Sequence, residues 1–329
     1  MHLIPLPSNR PPNRFYRGGR KITDFRGAPP ADSREPEDWV ASTTALAGET
    51  SLGLTVLPDG RSLADTIAEE AEAWLGREHL ERFGADTRLL VKLLDAGQRL
   101  PVHAHPDASF AAQHLGRSHG KAEAWYIVEG GEVHLGLQRD VTTDELRALV
   151  MSQDVDTLLS LLHRVEVRPG DVVYVPPGVL HAIGDGVFLV ELQEPEDMSI
   201  LLEWRGFELD GERDGHLGLG FDVALEAVEC RGRRSEEISQ LVRPAGYGPS
   251  VLPEEADPYF VLERLGLNGQ VTLDRGFAVL VILTGKAEPE GTTVRLTGGS
   301  TAIAPHALGE IRLHGQAEIL ACRPPSSAR

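Results

Sequence analysis

The chain has 329 residues, 41% hydrophobic and 25% charged, a composition typical of a globular protein with more than one core. Its formal net charge of -18 disfavours nucleic acid and anionic membrane surfaces as partners, because the mean field repels both. The amino terminus lacks a signal-peptide core, no stretch reaches the roughly 18 apolar residues of a membrane span, and the two cysteines form no CxxC, so we expect a cytoplasmic protein.

The first hundred residues predict irregular structure, one helix and two strands. Residues 1–60 are rich in Pro, Gly and Arg, which favours connections and edge strands over long helices. A helix is predicted over 62–76, because Ser62 is a favoured N-cap, apolar residues follow at helical spacing, and Gly76 ends the pattern. Residues 87–97 and 98–106 then read as two strands.

Further along the chain, helical segments interrupt a β pattern. Helices are predicted at about 107–120 and 142–164, and the segments around them alternate Val, Leu and Ile with Gly and Pro turns. Many short strands at close spacing indicate a barrel or sandwich. We expect a metal-binding domain with an N-terminal extension over 1–230, a linker over 231–257 and a metal-free β domain over 258–329.

Three segments carry metal-ligand chemistry. Residues two apart on a strand share a face, so the side chains of His103 and His105 can reach one ion. The spacings match the two cupin motifs, which are G-x5-H-x-H with E-x6-G, and G-x5-P-x-G-x2-H. They run from Gly97 through His103 and His105, from Glu123 to Gly130, and from Gly170 through Pro176 and Gly178 to His181. The predicted fold is therefore mostly β, with two cupin (double-stranded β-helix or jelly-roll) barrels in tandem and a helical insertion.

The insertion and its flanking motifs resemble one branch of the cupins, the zinc-dependent type I mannose-6-phosphate isomerases. The resemblance rests on "LLVKLLDAGQRLPVHAHPD", "GKAEAWYIVEG" and "GDVVYVPPGVLHAIGDGVFLVELQ", and extends to "EPEDWVAS". It implies His105, Glu123 and His181 as metal ligands. His103 stands where the family has glutamine, so the expected set is three His and one Glu around one divalent ion, with zinc expected first and manganese, iron, cobalt or nickel also compatible.

The same resemblance implies acid–base and substrate-binding residues. Lys121 and Lys92 match family active-site lysines, and they are two of only four lysines in the chain. Glu191 and Glu37 match acidic residues of the family. Lys121, Glu191 and Lys92 are therefore expected to be catalytic, and Glu37 is expected to bind substrate.

Two family positions that bind phosphate differ in this chain. Pro101 replaces a serine, and Ile200 or Leu201 replaces the arginine of an S-D-x-x-x-R motif. Arg205 lies close enough in sequence to take over that role and is predicted to bind substrate. Because phosphate needs such donors, either a sugar phosphate or a free sugar remains possible.

These features predict an isomerase that interconverts an aldose, mannose 6-phosphate or a related sugar, and its ketose through a cis-enediol. Two alternatives stay open. The first is a sugar-binding or regulatory cupin without turnover, which would explain the missing phosphate donors. The second is a cupin oxygenase or decarboxylase, because these enzymes also bind their metal with three His and one Glu. The expected partner is a small sugar or sugar phosphate, and the oligomeric state is left open.

Overall fold

The computed structural model describes residues 2–325. Its first part alternates short strands and helices in the order β1 (Ile4–Leu6), α1 (Arg20–Arg26), β2 (Glu37–Val40), α2 (Leu63–Glu69), α3 (Ala71–Leu75), α4 (Arg77–Phe83), β3 (Leu90–Asp95), β4 (His103–Ala104) and α5 (Ala108–Phe110). A π-helical turn, Ala111–Leu115, continues α5.

The middle of the chain contains most of the strands around the site. They and their helices are β5 (Glu123–Glu129), β6 (Gly131–Leu137), α6 (Thr143–Ser152), α7 (Val155–Ser160), β7 (Leu162–Val167), β8 (Asp171–Val175), β9 (His181–Ile183), β10 (Phe188–Gln193) and β11 (Ile200–Leu201). The remaining elements are α8 (Gly211–Asp214), α9 (Phe221–Ala224), α10 (Ser235–Leu241), β12 (Val242–Pro244), β13 (Val261–Leu273), β14 (Ala278–Pro289), β15 (Leu296–Thr297), β16 (Thr301–Ala304) and β17 (Ile311–Arg323). Short 3-10 turns lie at Leu225–Ala227, Glu254–Ala256 and His306–Leu308.

Three antiparallel sheets organise these strands. The carboxylate sheet has the order β12-β8-β5-β10-β3-β2, and the histidine sheet has the order β11-β4-β9-β6-β7. The C-terminal sheet has the order β1-β16-β14-β17-β13, with β15 paired to β14. The protein is 32% strand and 23% helix, which confirms the mostly β cupin prediction. No helix within 2–325 is long and apolar enough to cross a bilayer.

The predicted helices are present, with local differences. The helix expected over 62–76 is divided into α2 and α3 at Glu70, and the Ser62 hydroxyl accepts the Asp65 N–H at its start. Thr142 caps α6 in the same way. The insertion ends earlier than expected, because residues 162–164 already belong to β7. Helix α1 was not predicted, since it lies among the Pro and Gly residues of the first 60 positions.

The predicted domain boundaries stay a prediction, and two strand pairings bear on them. β1 pairs with β16, so the amino terminus contributes to the C-terminal sheet. β12, inside the expected linker, pairs with β8 at the edge of the carboxylate sheet. Residue 1 and residues 326–329, which the predicted domains include, lie outside the described part of the chain.

A close approach of two glycines fixes the N-terminal segment against the turn that leads to the site. A Cβ on Gly18 would lie 1.9 Å from the Asp95 carbonyl oxygen, and one on Gly97 would lie 2.6 Å from the Gly18 Cα. The Asp95 carboxylate accepts the N–H groups of Gly19 and Lys21 at 2.7 and 2.9 Å. The glycine that begins the first cupin motif is therefore required for backbone packing.

We predict that Gly18→Ala lowers the free energy of unfolding by about 3 kcal/mol, because the new methyl group overlaps backbone atoms of Asp95 and Gly97. Gly246→Ala is the control, since a Cβ there meets nothing within 4 Å. Thermal and urea unfolding of both variants would measure the difference. Equal stability of the two variants would contradict the packing described for Gly18.

Candidate metal centre and active site

Three histidines on the histidine sheet form one buried cluster. His103 and His181 are direct partners across β4 and β9, and His105 lies just after the end of β4. The ring centroids are 4.0 Å apart for His103 and His181, and about 5 Å for the other two pairs (4.9 and 5.0 Å). Their ligand nitrogens lie within 4.8 Å of one another, close enough to share one metal ion.

Each imidazole has its Nδ1 atom beside a backbone carbonyl. The distances are 2.8 Å for His103 to Pro101 O, 2.9 Å for His105 to Met198 O and 2.9 Å for His181 to Val179 O. A carbonyl oxygen only accepts, so these contacts place the ring hydrogen on Nδ1 and leave the Nε2 lone pair free to bind a cation. The sequence predicts these histidines, and their carbonyl partners orient them.

Burial keeps two of these imidazoles neutral. Desolvation, together with the neighbouring imidazoles, lowers the pKa of His103 well below its usual value, and desolvation lowers the pKa of His105 to about 3 against the opposing charge of Glu123. Nε2 of His181 is buried and has no hydrogen-bond partner among the described residues. A buried lone pair without a donor is costly, and a divalent cation would satisfy it, so the residues present fit a metal.

Glu123 faces the histidines from the carboxylate sheet. Its Oε1 is 2.9 Å from His105 Nε2, and its Oε2 is 3.5 Å from His181 Nε2. Burial opposes ionisation, but the adjacent Lys121 ammonium favours it and holds the pKa of Glu123 below its usual range. A neutral His105 that donates to Met198 has no second hydrogen for Glu123, so two acceptors face each other where a cation would bind.

Lys121 lies beside this group. Its Nζ is 2.8 Å from Glu123 Oε1 and 3.3 Å from His105 Nε2, and the side chain is buried. The helical insertion holds the backbone here, because the Lys121 N–H donates to Pro106 O and a Cβ on Gly120 would lie 2.6 Å from the Ala108 nitrogen. The helical insertion therefore fixes the backbone position of Lys121.

Glu191, Lys92 and Glu37 form a chain of charges across the carboxylate sheet. Glu191 is the direct partner of Lys92 across β10 and β3, and Trp39 is the partner of Lys92 on β2. Lys92 Nζ is 3.7 Å from both Glu37 Oε2 and Glu191 Oε2, and 5.1 Å from the Trp39 ring. Burial opposes the charge on Lys92, but the ionised carboxylate of Glu37 raises its pKa above the usual value.

The two carboxyl groups beside Lys92 are held in different protonation states. Burial and then the charge of Glu123 raise the pKa of Glu191 to about 8. Burial also opposes ionisation of Glu37, but Arg14 and Lys92 hold the pKa of Glu37 at about 2. One carboxyl is thus ionised at neutral pH and its neighbour is mostly protonated, which is the arrangement used in acid–base sites.

The sequence-based prediction missed Arg14, Tyr16 and Asp197. Arg14 Nε donates to Glu37 at 3.0 Å, and its two terminal nitrogens face the Asp197 carboxylate at 3.3 and 3.4 Å. The Tyr16 hydroxyl donates to Glu37 at 2.7 Å. Asp197 occupies the D position of the S-D-x-x-x-R pattern and was available as a signal. Arg14 is one of many arginines in an irregular segment and has no local signal.

All the predicted site residues except Arg205 surround one cavity or the histidine cluster beside it. Its described lining is Arg14, Phe15, Tyr16, Glu37, Lys92, Leu94, Leu100, Pro101, His103, Lys121, Glu123, Ile183, Glu191, Asp197, Ser199 and Leu201. Pro101 and Leu201, which stand at the positions expected to bind phosphate, are both part of this lining. His105 and His181 lie behind His103 and Glu123.

Arg205 is the predicted residue that lies away from both the cavity and the histidine cluster. Its side chain is exposed, its N–H donates to Gln153 Oε1 at 3.2 Å, and it borders a separate surface depression with Glu203 and Asp154. The sequence suggested Arg205 by proximity to Leu201, but β11 ends at Leu201 and the chain then turns away from the cavity.

The chain is similar in sequence to mannose-6-phosphate isomerases over most of its length. The chain is 30% identical over 319 residues to mannose-6-phosphate isomerase ManA of Bacillus subtilis, covering 92% of this chain and 93% of that protein. It is 28% identical over 263 residues to the mannose-6-phosphate isomerase of Streptococcus mutans, covering 74% of this chain and 78% of that protein. No protein-family model matches the chain.

Solved structures resemble the fold. The mannose 6-phosphate isomerase of Bacillus subtilis superposes with a TM-score of 0.75 at 23% identity, covering 98% of this chain and 100% of that one. A variant of the phosphomannose isomerase of Salmonella typhimurium gives 0.76 at 15% identity, covering 99% and 100%. At these identities the two structures establish a shared fold.

We predict that His105→Ala weakens zinc binding at least about 100-fold, because it removes one of three converging imidazoles. His314→Ala, which removes an exposed histidine on β17, is the control and should leave zinc binding unchanged. Elemental analysis after dialysis and the zinc-induced rise in Tm would measure both. Full zinc occupancy in His105→Ala would contradict the proposed centre.

We also predict that Arg14→Met destabilises the protein by about 3 kcal/mol at pH 7, because it leaves Glu37 and Asp197 buried without their cation. The loss should shrink as the pH falls towards 2, since a carboxylate with a lowered pKa stabilises the fold only while it is ionised. Thermal unfolding across pH would measure this. Arg164→Met, at an exposed pair with Glu132, is the control with little expected effect, and a pH-independent loss in Arg14→Met would refute the assignment.

Proposed function

The chain belongs to the mannose-6-phosphate isomerase family, and from this assignment we propose that the histidine cluster and the adjoining cavity are its active site. The chain interconverts an aldose and its ketose, as its family does. This confirms the isomerase prediction over the two alternatives, a binding protein and an oxygenase or decarboxylase. The observation that carries the proposal is a buried cluster of three oriented imidazoles beside a cavity that is lined by His103, two lysines and four carboxyl groups.

We propose zinc as the metal, held by His103, His105, Glu123 and His181. Three imidazoles and one carboxylate are zinc ligands, although manganese, iron, cobalt and nickel accept the same set. When bound, such a cation polarises substrate oxygens and stabilises the negative charge that develops on them. Glu123 and the neutral histidines would already be in the protonation states that a metal requires.

Lys121 and Glu191 are the proposed proton shuttle. The isomerisation moves a proton from C2 to C1 and another from the C2 hydroxyl to the C1 oxygen, through a cis-enediol, with no net gain or loss. Such transfers need groups that both give and accept protons close to neutral pH. Glu191, whose pKa burial raises above the usual value, meets that requirement, and Lys121 supplies a cationic donor next to the metal ligands.

Lys92 and Glu37 are proposed to orient the substrate hydroxyl groups. Glu37 accepts hydrogen bonds from Tyr16 and Trp39, both at 2.7 Å, so its position is fixed before any substrate arrives. Arg14 and Asp197 complete this support. The proposed substrate is mannose 6-phosphate or a related aldose, acted on in the cytoplasm, where free cysteines such as Cys230 and Cys322 are usual.

We predict that Lys121→Met and Glu191→Gln each lower kcat by about 100- to 10,000-fold while zinc stays bound, because each removes a proton-transfer group. Lys286→Met is the matched control, since Lys286 is exposed on β14 far along the chain. Proton NMR of the zinc-loaded enzymes with an aldose in D2O would follow ketose formation and loss of the C2 proton. Full activity of either variant would contradict its assigned role.

A further inference from the structure

The cavity has two chemically different walls. The carboxylate sheet and the N-terminal segment supply its charged groups, which are Arg14, Glu37, Lys92, Lys121, Glu123, Glu191 and, from the loop before β11, Asp197. The side around His103 is aliphatic, formed by Leu100, Pro101, Ile183 and Leu201, and Leu94 on β3 adds one aliphatic side chain to the charged side. The reacting end of a sugar must lie against His103, Lys121 and Glu191, so the remainder of the sugar contacts what is left of this lining.

Every permanent cation in the described lining is already paired. Arg14 lies between Glu37 and Asp197, and its fork faces the Asp197 carboxylate. Lys92 lies between Glu37 and Glu191, and Lys121 contacts Glu123. Four carboxyl groups thus accompany three cations. A phosphate dianion entering this wall would have to compete with fixed carboxylates for each donor.

The aliphatic wall offers a phosphate even fewer hydrogen-bond donors and no cation. Leu201 is the direct cross-strand partner of His103, so both side chains lie on the same face of the histidine sheet, and Leu201 is only 6% exposed. Pro101, two residues before His103, has no N–H to donate. Near Leu201, the hydroxyl of Ser199 is a neutral donor in this lining. Arg205, the arginine close to Leu201 in sequence, borders a separate surface depression.

We propose that the substrate is a non-phosphorylated aldose. The inference rests on the proposed function, because it assumes that the reaction takes place in this cavity. Burying a dianion beside Leu201 and Pro101 would cost its hydration without a compensating donor, whereas a hydroxymethyl group loses much less. The net charge of -18 acts in the same direction, since it disfavours the approach of anionic substrates.

The test compares matched pairs of sugars that differ only in the phosphate. Zinc-loaded wild-type enzyme is assayed by NMR in D2O with mannose, glucose and galactose and with the 6-phosphate of each. We expect the best free sugar to have a kcat/KM at least about 10-fold above its own 6-phosphate, a difference of roughly 1.4 kcal/mol. A 6-phosphate preferred by the same factor would overturn this inference and leave the proposed function intact.

A charge introduced at the aliphatic wall provides a second test. Leu201→Arg should move the ratio of the two kcat/KM values towards the phosphate at least about 10-fold, because a guanidinium pairs with phosphate. Leu201→Gln is the uncharged control of similar length and should leave the ratio near the wild-type value. The same shift in both variants would mean that the charge of residue 201 does not set the preference, and would contradict the proposal.

Binding without turnover separates substrate choice from catalysis. Calorimetry of the wild-type protein with mannitol and with mannitol 1-phosphate, open-chain analogues that cannot isomerise, should show tighter binding of mannitol. Tighter binding of the phosphate would overturn the inference. Turnover of none of the six sugars in the NMR assay would instead count against the proposed function itself, so the two failures are distinguishable.

Discussion

The site depends on three hydrogen bonds from imidazole Nδ1 atoms to backbone carbonyls. Two of these carbonyls belong to residues two positions before the histidine, Pro101 for His103 and Val179 for His181, so the backbone just before each strand sets the tautomer. With the hydrogen on Nδ1, each Nε2 atom carries a lone pair. These lone pairs are buried close to one another, and they repel. A cation at the centre would relieve this repulsion, so we expect metal binding to stabilise the fold.

The division of the cavity into a charged wall and an aliphatic wall follows from sheet geometry. Alternation along β3 and β10 brings Lys92 and Glu191 to the same inward face, while β4 and β11 present His103 and Leu201. The charged groups support one another because each pairs with a group of opposite sign inside a low-dielectric site, where an unpaired charge would be costly. The N-terminal segment completes this network through Arg14, and so part of the candidate site lies outside the cupin strands.

Much of the fold and most of the site were predictable, because the relevant signals are local. The HxH pair, the glycine-led spacings and two of four lysines lie in short motifs whose strand periodicity fixes which side chains meet. Arg14 could not be predicted in this way, since its role depends on contacts with Glu37 and Asp197, 23 and 183 residues away. The substrate-binding role predicted for Arg205 is not supported, because Arg205 is close to Leu201 in sequence but the chain turns away from the cavity after β11. Helix α1 was hidden by Gly and Pro at its flanks.

The most direct test of the account is X-ray absorption spectroscopy of the zinc-loaded protein at the zinc edge. We expect a first shell of three imidazole nitrogens and carboxylate oxygen at about 2.0–2.2 Å, with the multiple-scattering signature of three histidines. The signature should fall to two histidines in His181→Ala. A shell dominated by water and carboxylate oxygens, or one unchanged in that variant, would show that the metal binds elsewhere and would contradict the proposed centre.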